Sequence, residues 1–179
     1  MEVAIINEAL FKENSPVREN VVISEFVPYI ILAQKMYIRP LIGARLLTTI
    51  QEAISANTRP VDPQPLPPRI EALITEIAPC LSFYAVYQAL PFQWAGIQNK
   101  GVTVADSENS KSIDGNDLAR LRAWLRTDAQ SFADCLIKYL AGCRSTYPEW
   151  EAPPGCDCDN TRKPEVDYGI NIPKRRRKC

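Results

Sequence analysis

The chain has 179 residues, and 46% of them are hydrophobic, which is enough apolar material for the core of one domain. Its 21 basic and 21 acidic residues balance, so no overall charge draws it onto nucleic acid or an anionic membrane. The sequence contains no histidine, which removes the usual general base at neutral pH and the most common zinc ligand, and this argues against an enzyme.

Targeting signals and disulfides are not expected either. No uninterrupted apolar stretch approaches the roughly 18 residues of a membrane span, and the first three residues lack the basic start of a secretory signal. We therefore expect a protein that stays where it is synthesised, outside the membrane. Three of the six cysteines, Cys80, Cys135 and Cys143, fall within helical patterns, where we expect reduced, buried thiols.

The first 23 residues mix short apolar pieces with polar spacers and predict a short strand or an arm. Ser24 is a suitable N-cap for a helix that runs to about Ile38. Within this helix Gln34 lies at the edge of a mostly apolar stripe, where a packing or capping role is expected. Pro40 and Gly43 then predict a bend before the next helix.

The middle of the chain predicts two helices around a rigid connection. Residues 44–56 have the apolar spacing of a helix, and residues 57–68 contain five prolines, which favours an extended segment. Residues 69–90 repeat apolar side chains every three or four positions, as a buried helix does. The aromatic residues near its end lack interleaved basic residues, so core packing is the better interpretation than base stacking. They are Phe83, Tyr84, Tyr87, Phe92 and Trp94.

A polar segment, residues 99–113, follows and predicts a protruding loop or hairpin, because it has turn residues before a short β-prone piece. We expect its first part to be an assembly loop that contacts a neighbouring subunit. That part is Asn99, Lys100, Gly101, Val102, Thr103 and Val104. Asp114 then caps a long helix to about Cys143, whose stripe repeats in heptad-like steps. The stripe is Leu118, Leu121, Leu125, Phe132, Leu136 and Leu140.

Residues 144–179 are rich in proline and sparse in apolar residues, so they predict an extended C-terminal arm after a domain of residues 1–143. We expect the apolar side chains of the arm to contact other subunits: Tyr147, Trp150, Tyr168, Ile170 and Ile172. The arm ends in a basic tip of five charges, which could be a solvated end, a contact to DNA phosphates, or a contact to an acidic protein surface. The basic tip is Lys174, Arg175, Arg176, Arg177 and Lys178.

Patterns typical of catalysis and of cofactor or metal binding are missing from the sequence. Cys156-Asp157-Cys158 has no second cysteine pair and no histidine, which falls short of a structural zinc site. There is no phosphate-binding loop, no dinucleotide glycine pattern and no nucleophile elbow. We therefore predict no catalytic residue, no cofactor and no metal.

Two segments, 26–43 (FVPYIILAQKMYIRPLIG) and 90–114 (LPFQWAGIQNKGVTVADSENSKSID), resemble the head-to-tail connector proteins of tailed bacteriophages. The nearest likeness is to the adaptor or neck ring proteins of crAss-like and other Bacteroidetes phages, and it covers roughly residues 20–143. The resemblance is carried by apolar and turn positions. It implies a mainly α fold, a small helical bundle of the phage connector type with a protruding loop or hairpin and an extended C-terminal arm.

The resemblance also implies a function in the virion. Such a protein assembles in the cytoplasm of the host bacterium as a closed ring, expected to be a dodecamer, which joins the portal protein to tail or other neck proteins. The ring would extend the channel for packaged double-stranded DNA. The alternative is a small cytosolic helical regulator or nucleic-acid-binding adaptor that acts through the basic tip. A third, weaker alternative is an enzyme whose site is completed by another chain.

Overall fold

Helices make up most of the protein in a computed structural model that describes residues 3–17, 20–98, 101–104 and 114–154. They form a small helical bundle, as the sequence predicts. In chain order the elements are α1 (Glu8–Glu13), a 3₁₀ turn (Ile23–Glu25), α2 (Val27–Ala33), a π-helical turn (Gln34–Ile38), α3 (Arg39–Ile42), α4 (Ala44–Asn57), α5 (Pro68–Trp94), β1 (Ala95–Gln98), β2 (Gly101–Val104) and α6 (Gly115–Gly142).

Small side chains bring α6 close to α5. Ala129 and Ala133 are fully buried, and the Cys80 thiol on α5 donates a weak hydrogen bond to the Ala129 carbonyl at 3.7 Å. Burial raises the pKa of Cys80 to about 12, so this thiol is protonated at neutral pH. The predicted stripe on α6 is therefore only partly correct. Phe132 is 36% exposed, because the alanines occupy the line of closest approach.

The first predicted helix continues to Ile42, and Pro40 lies inside it. Just before the proline the backbone widens into the π-helical turn, where the Arg39 N–H donates to the carbonyl of Gln34, five residues earlier. A wider turn suits proline, which lacks an N–H and crowds the carbonyl four residues before it. The bend that we predicted lies at Gly43, whose φ of 82° ends α3.

The N-terminal segment is neither a strand nor an arm, because it packs on the core. Ile5 and Phe11 are buried, and the Gln34 side chain holds the backbone beside them. Its Oε1 accepts from the Ile5 N–H at 2.8 Å, and its Nε2 donates to the Val3 carbonyl at 3.1 Å. These bonds satisfy both polar groups of a buried amide, so Gln34 has the packing role that we expected.

The central helix α5 is long and apolar enough to cross a membrane by length and composition alone. However, 61% of its most apolar 18-residue window is buried inside the protein, as in a core helix. The proline-rich connection before it has no helix or strand between α4 and α5, as predicted.

Candidate assembly surface

An exposed apolar surface runs along α2, the π-helical turn after it and the C-terminal part of α5, and we name it the α2–α5 face. It consists of Tyr29, Leu32, Met36 and Phe92. Three of these side chains are well exposed: Leu32 at 38%, Met36 at 50% and Phe92 at 49%. The rings of Tyr29 and Phe92 stack with centroids 5.9 Å apart, which joins the two helices into one surface. Exposed apolar side chains that adjoin one another in this way make the surface a candidate for contact with another molecule.

A β-hairpin begins directly after this face, because β1 follows the last residue of α5. Its strands are antiparallel, with Ala95 opposite Val104 and Gln98 opposite Gly101. The described strands form a two-stranded sheet, so each has an outer edge that is able to pair with another chain. The predicted assembly loop thus falls on this hairpin: Gly101, Val102, Thr103 and Val104 form β2, and Asn99 and Lys100 lie outside the described residues.

Behind the α2–α5 face, Tyr37 and Tyr84 form a hydrogen-bonded tyrosine cluster with Gln88 and Gln130. Tyr37 and Tyr84 stack in parallel with centroids 4.0 Å apart, and Gln88 donates its amide N–H to the Tyr37 hydroxyl. The Tyr84 hydroxyl donates to Gln130 on α6 at 3.3 Å. Burial raises the pKa of Tyr84 to about 12, so its hydroxyl remains a donor across the neutral range. The cluster therefore holds α5 against the π-helical turn and α6.

One basic residue joins the aromatic cluster from α6, although the sequence around the aromatics contains none. The Arg122 guanidinium carbon lies 4.5 Å from the centre of the Tyr87 ring, within cation–π distance. Sequence inspection missed this partner because Arg122 lies 35 positions away along the chain. The predicted core packing is therefore correct for Tyr84, which is buried, but wrong for Phe92, which is 49% exposed and lies on the α2–α5 face.

Two residues that we predicted to contact other subunits, Tyr147 and Trp150, belong to the core of this subunit. They are 2% and 8% exposed. The Tyr147 hydroxyl donates to the Arg69 carbonyl at 2.9 Å, and the Trp150 Nε1 donates to the Leu41 carbonyl at 3.0 Å. The prediction was wrong because prolines end helices without preventing an irregular segment from packing on them.

An ion pair holds the segment that carries Tyr147 and Trp150 against the start of α5. Arg69 donates two hydrogen bonds to the Glu149 carboxylate, at 3.2 and 3.0 Å, and a third to the Thr146 carbonyl at 3.1 Å. The bond from Arg69 lowers the pKa of Glu149. The predicted domain boundary at residue 143 is therefore too early, since the chain stays on the core through Trp150.

The remaining predicted contacts lie outside the described residues: Tyr168, Ile170, Ile172 and the basic tip, as does the Cys156-Asp157-Cys158 motif. Within the described ranges no group of three or more acidic, cysteine or histidine side chains is placed to hold a metal ion. Cys80 is buried as predicted, and Cys143 is partly exposed. The prediction is wrong for Cys135, which is exposed because it lies on the outer side of α6.

Residues 38–160 match the model of DUF6712, described as a family of unknown function. The match begins at the end of the π-helical turn and includes the segment that carries Tyr147 and Trp150, in agreement with its place on the core. No curated protein and no solved structure is significantly similar to the chain.

Proposed function

Because the chain belongs to DUF6712, a family of unknown function, we propose a role from its own residues: it is a structural protein of the virion that forms a ring in the phage neck. The ring joins portal to tail and extends the DNA channel. Support comes from the resemblance of residues 26–43 and 90–114 to head-to-tail connector proteins. Its partners are further copies of itself, the portal protein, and tail or other neck proteins.

The observation that carries this proposal is the α2–α5 face beside the hairpin. A ring needs two different surfaces on each subunit, one that meets the next copy and one that meets the previous copy. The face supplies exposed aromatic and methionine side chains, which are enriched in protein interfaces, and the hairpin supplies strand edges. The tyrosine cluster holds the helices behind the face together.

A pair of substitutions on the face tests the ring. The double variant Leu32→Glu and Met36→Glu adds charge to two exposed side chains, so the fold should survive while the subunit contact fails. Val61→Glu is the matched control, because Val61 is 81% exposed in the proline-rich connection. Native mass spectrometry with portal complexes should show the closed multimer, expected to be a dodecamer, for the parent and the control only. An unchanged multimer in the double variant would remove the face from the proposal.

A second proposed partner is packaged double-stranded DNA, contacted by the basic tip. Residues 174–178 hold five of the 21 basic residues, which leaves 16 against 21 acidic ones in the rest of the chain. The same cluster is what favours the alternative function, a cytosolic nucleic-acid-binding adaptor. If all five charges meet phosphates, the logarithm of the binding constant should fall against the logarithm of salt concentration with a slope of about 4.5. A variant with the five residues changed to serine should lose this dependence.

The content of purified virions distinguishes the two proposed functions. A neck protein is present in purified virions at a fixed ratio to portal, with assembly taking place in the host cytoplasm, whereas an adaptor is absent from them. Quantitative mass spectrometry of purified particles measures that ratio.

A further inference from the structure

An apolar groove lies on another side of the C-terminal part of α5, between the N-terminal segment and α6. Its volume is about 400 Å³, in the range of sites that hold small ligands or peptide side chains. Val86 and Leu125 form its buried floor, while Leu90 and Leu121 are half-buried at its sides. Val17 and Val21 complete it from the N-terminal segment. The hydrogen bonds and ring contacts of the α2–α5 face do not involve these residues.

The chain contains a segment with the pattern that suits such a groove. In residues 168–172 (YGINI), Tyr168, Ile170 and Ile172 alternate with Gly169 and Asn171. In an extended conformation the three apolar side chains point to one side at intervals of about 7 Å. The groove follows α5 from Val86 to Gln93, about 10 Å along the helix axis. Two of the three side chains therefore fit along it.

The chain is long enough for this segment to reach the groove of its own subunit. The described chain ends at Pro154, beside Gly43 at the end of α3. From there to the level of Tyr29 at the start of α2 is about 21 Å along the helix direction. Thirteen residues, 155–167, separate Pro154 from Tyr168 and span up to about 45 Å when extended. The extended chain is longer than this distance, so the segment is able to pass around the helices.

We infer that residues 168–172 occupy this groove in their own chain, in place of the contact to other subunits that the sequence led us to expect for Tyr168, Ile170 and Ile172. A short tether holds the segment at an effective concentration of about millimolar, so a contact with an intrinsic dissociation constant below about 1 mM is mostly formed within the chain. The segment would then cover the groove and place the basic tip beside the hairpin end of the protein. This inference goes beyond the neck-ring proposal and does not depend on it, because it applies to a single subunit.

Photo-crosslinking of the full-length chain tests the inference. The photoreactive amino acid p-benzoylphenylalanine is placed at position 170 in one sample and at position 171 in its matched control. Mass spectrometry of the irradiated protein should find crosslinks within one chain from position 170 to residues 86–93 or 121–125. Position 171 points to the opposite side of an extended segment, so it should give about tenfold fewer such crosslinks. Crosslinks elsewhere, equal yields, or crosslinks between two chains would overturn the same-chain assignment.

Hydrogen exchange provides a second readout that does not need a photoreactive residue. The double variant Ile170→Asp and Ile172→Asp should expose the groove, so amides of residues 121–125 should exchange about fivefold faster, whereas Asn171→Asp should leave them unchanged. These substitutions lie outside the described core, so the helices remain intact. Unchanged exchange in the double variant would contradict the inference even if the ring proposal holds.

Discussion

Replacing Trp150 by alanine should strongly lower the thermal stability of the protein. The side chain is 8% exposed and donates its indole N–H to the Leu41 carbonyl at 3.0 Å. Truncation of a buried tryptophan costs about 3–5 kcal/mol, whereas Trp150→Phe keeps most of the packing and loses one hydrogen bond, about 1 kcal/mol. For a chain of this length each kcal/mol lowers the melting temperature by about 2–4 °C. We therefore expect a drop of about 6–20 °C for alanine and a few degrees for phenylalanine.

Thermal unfolding followed by circular dichroism measures both variants against a matched control. Trp124→Ala removes the same side chain from α6, where it is 68% exposed, so its melting temperature should change little. If Trp150→Ala unfolded like Trp124→Ala, residues 144–154 would form a separable arm. The core assignment of Trp150 would then be refuted.

Three other substitutions or treatments test the packing. Gly43→Ala should lower the free energy of unfolding by about 1–3 kcal/mol, because the φ of 82° suits glycine and an added Cβ would lie 2.9 Å from the Cβ of Glu151. Equal midpoints of urea unfolding for parent and variant would contradict this. Arg69 lowers the pKa of Glu149 from 4.5, so the pair stabilises the fold above about pH 4.5 and loses this contribution as the pH falls further. The variant Glu149→Gln should therefore lose less stability in acid than the parent. Identical dependence of stability on pH in the two proteins would contradict the assignment. Iodoacetamide should alkylate Cys135 in the native protein and reach Cys80 only after denaturation, whereas equal labelling would show that α5 and α6 separate readily.

Periodic helices were predictable from sequence, because their apolar spacing acts locally. Of the two predicted caps only Asp114 caps a helix, whereas Ser24 lies inside the 3₁₀ turn and α2 begins at Val27 without a side-chain cap. Helix α4 begins where residues 44–56 predict it, and α6 begins at the Asp114 cap, whose carboxylate accepts from the Gly115 N–H at 2.8 Å. The contact line of α6 was harder to predict. Ala129 and Ala133 carry it because they let α5 approach, and a search for large apolar residues passes over alanine.

Long-range partners explain the errors at both ends of the chain. The segment around Ile5 depends on Gln34, 29 positions away, and Trp150 depends on Leu41, 109 positions away. Local patterns therefore indicated a short strand or an arm for the first segment and an arm for the second. On the candidate surface the hairpin was predicted from its turn residues, whereas the exposed α2–α5 face required knowledge of which side of α2 is buried.

The central claim is that this protein forms a closed ring in the virion neck, and the mass of the native assembly tests it most directly. Native mass spectrometry of the full-length protein with portal complexes, together with electron microscopy of particles, should reveal a cyclic multimer with one copy per ring position, expected to be a dodecamer. A strictly monomeric protein that is absent from particles would contradict the account.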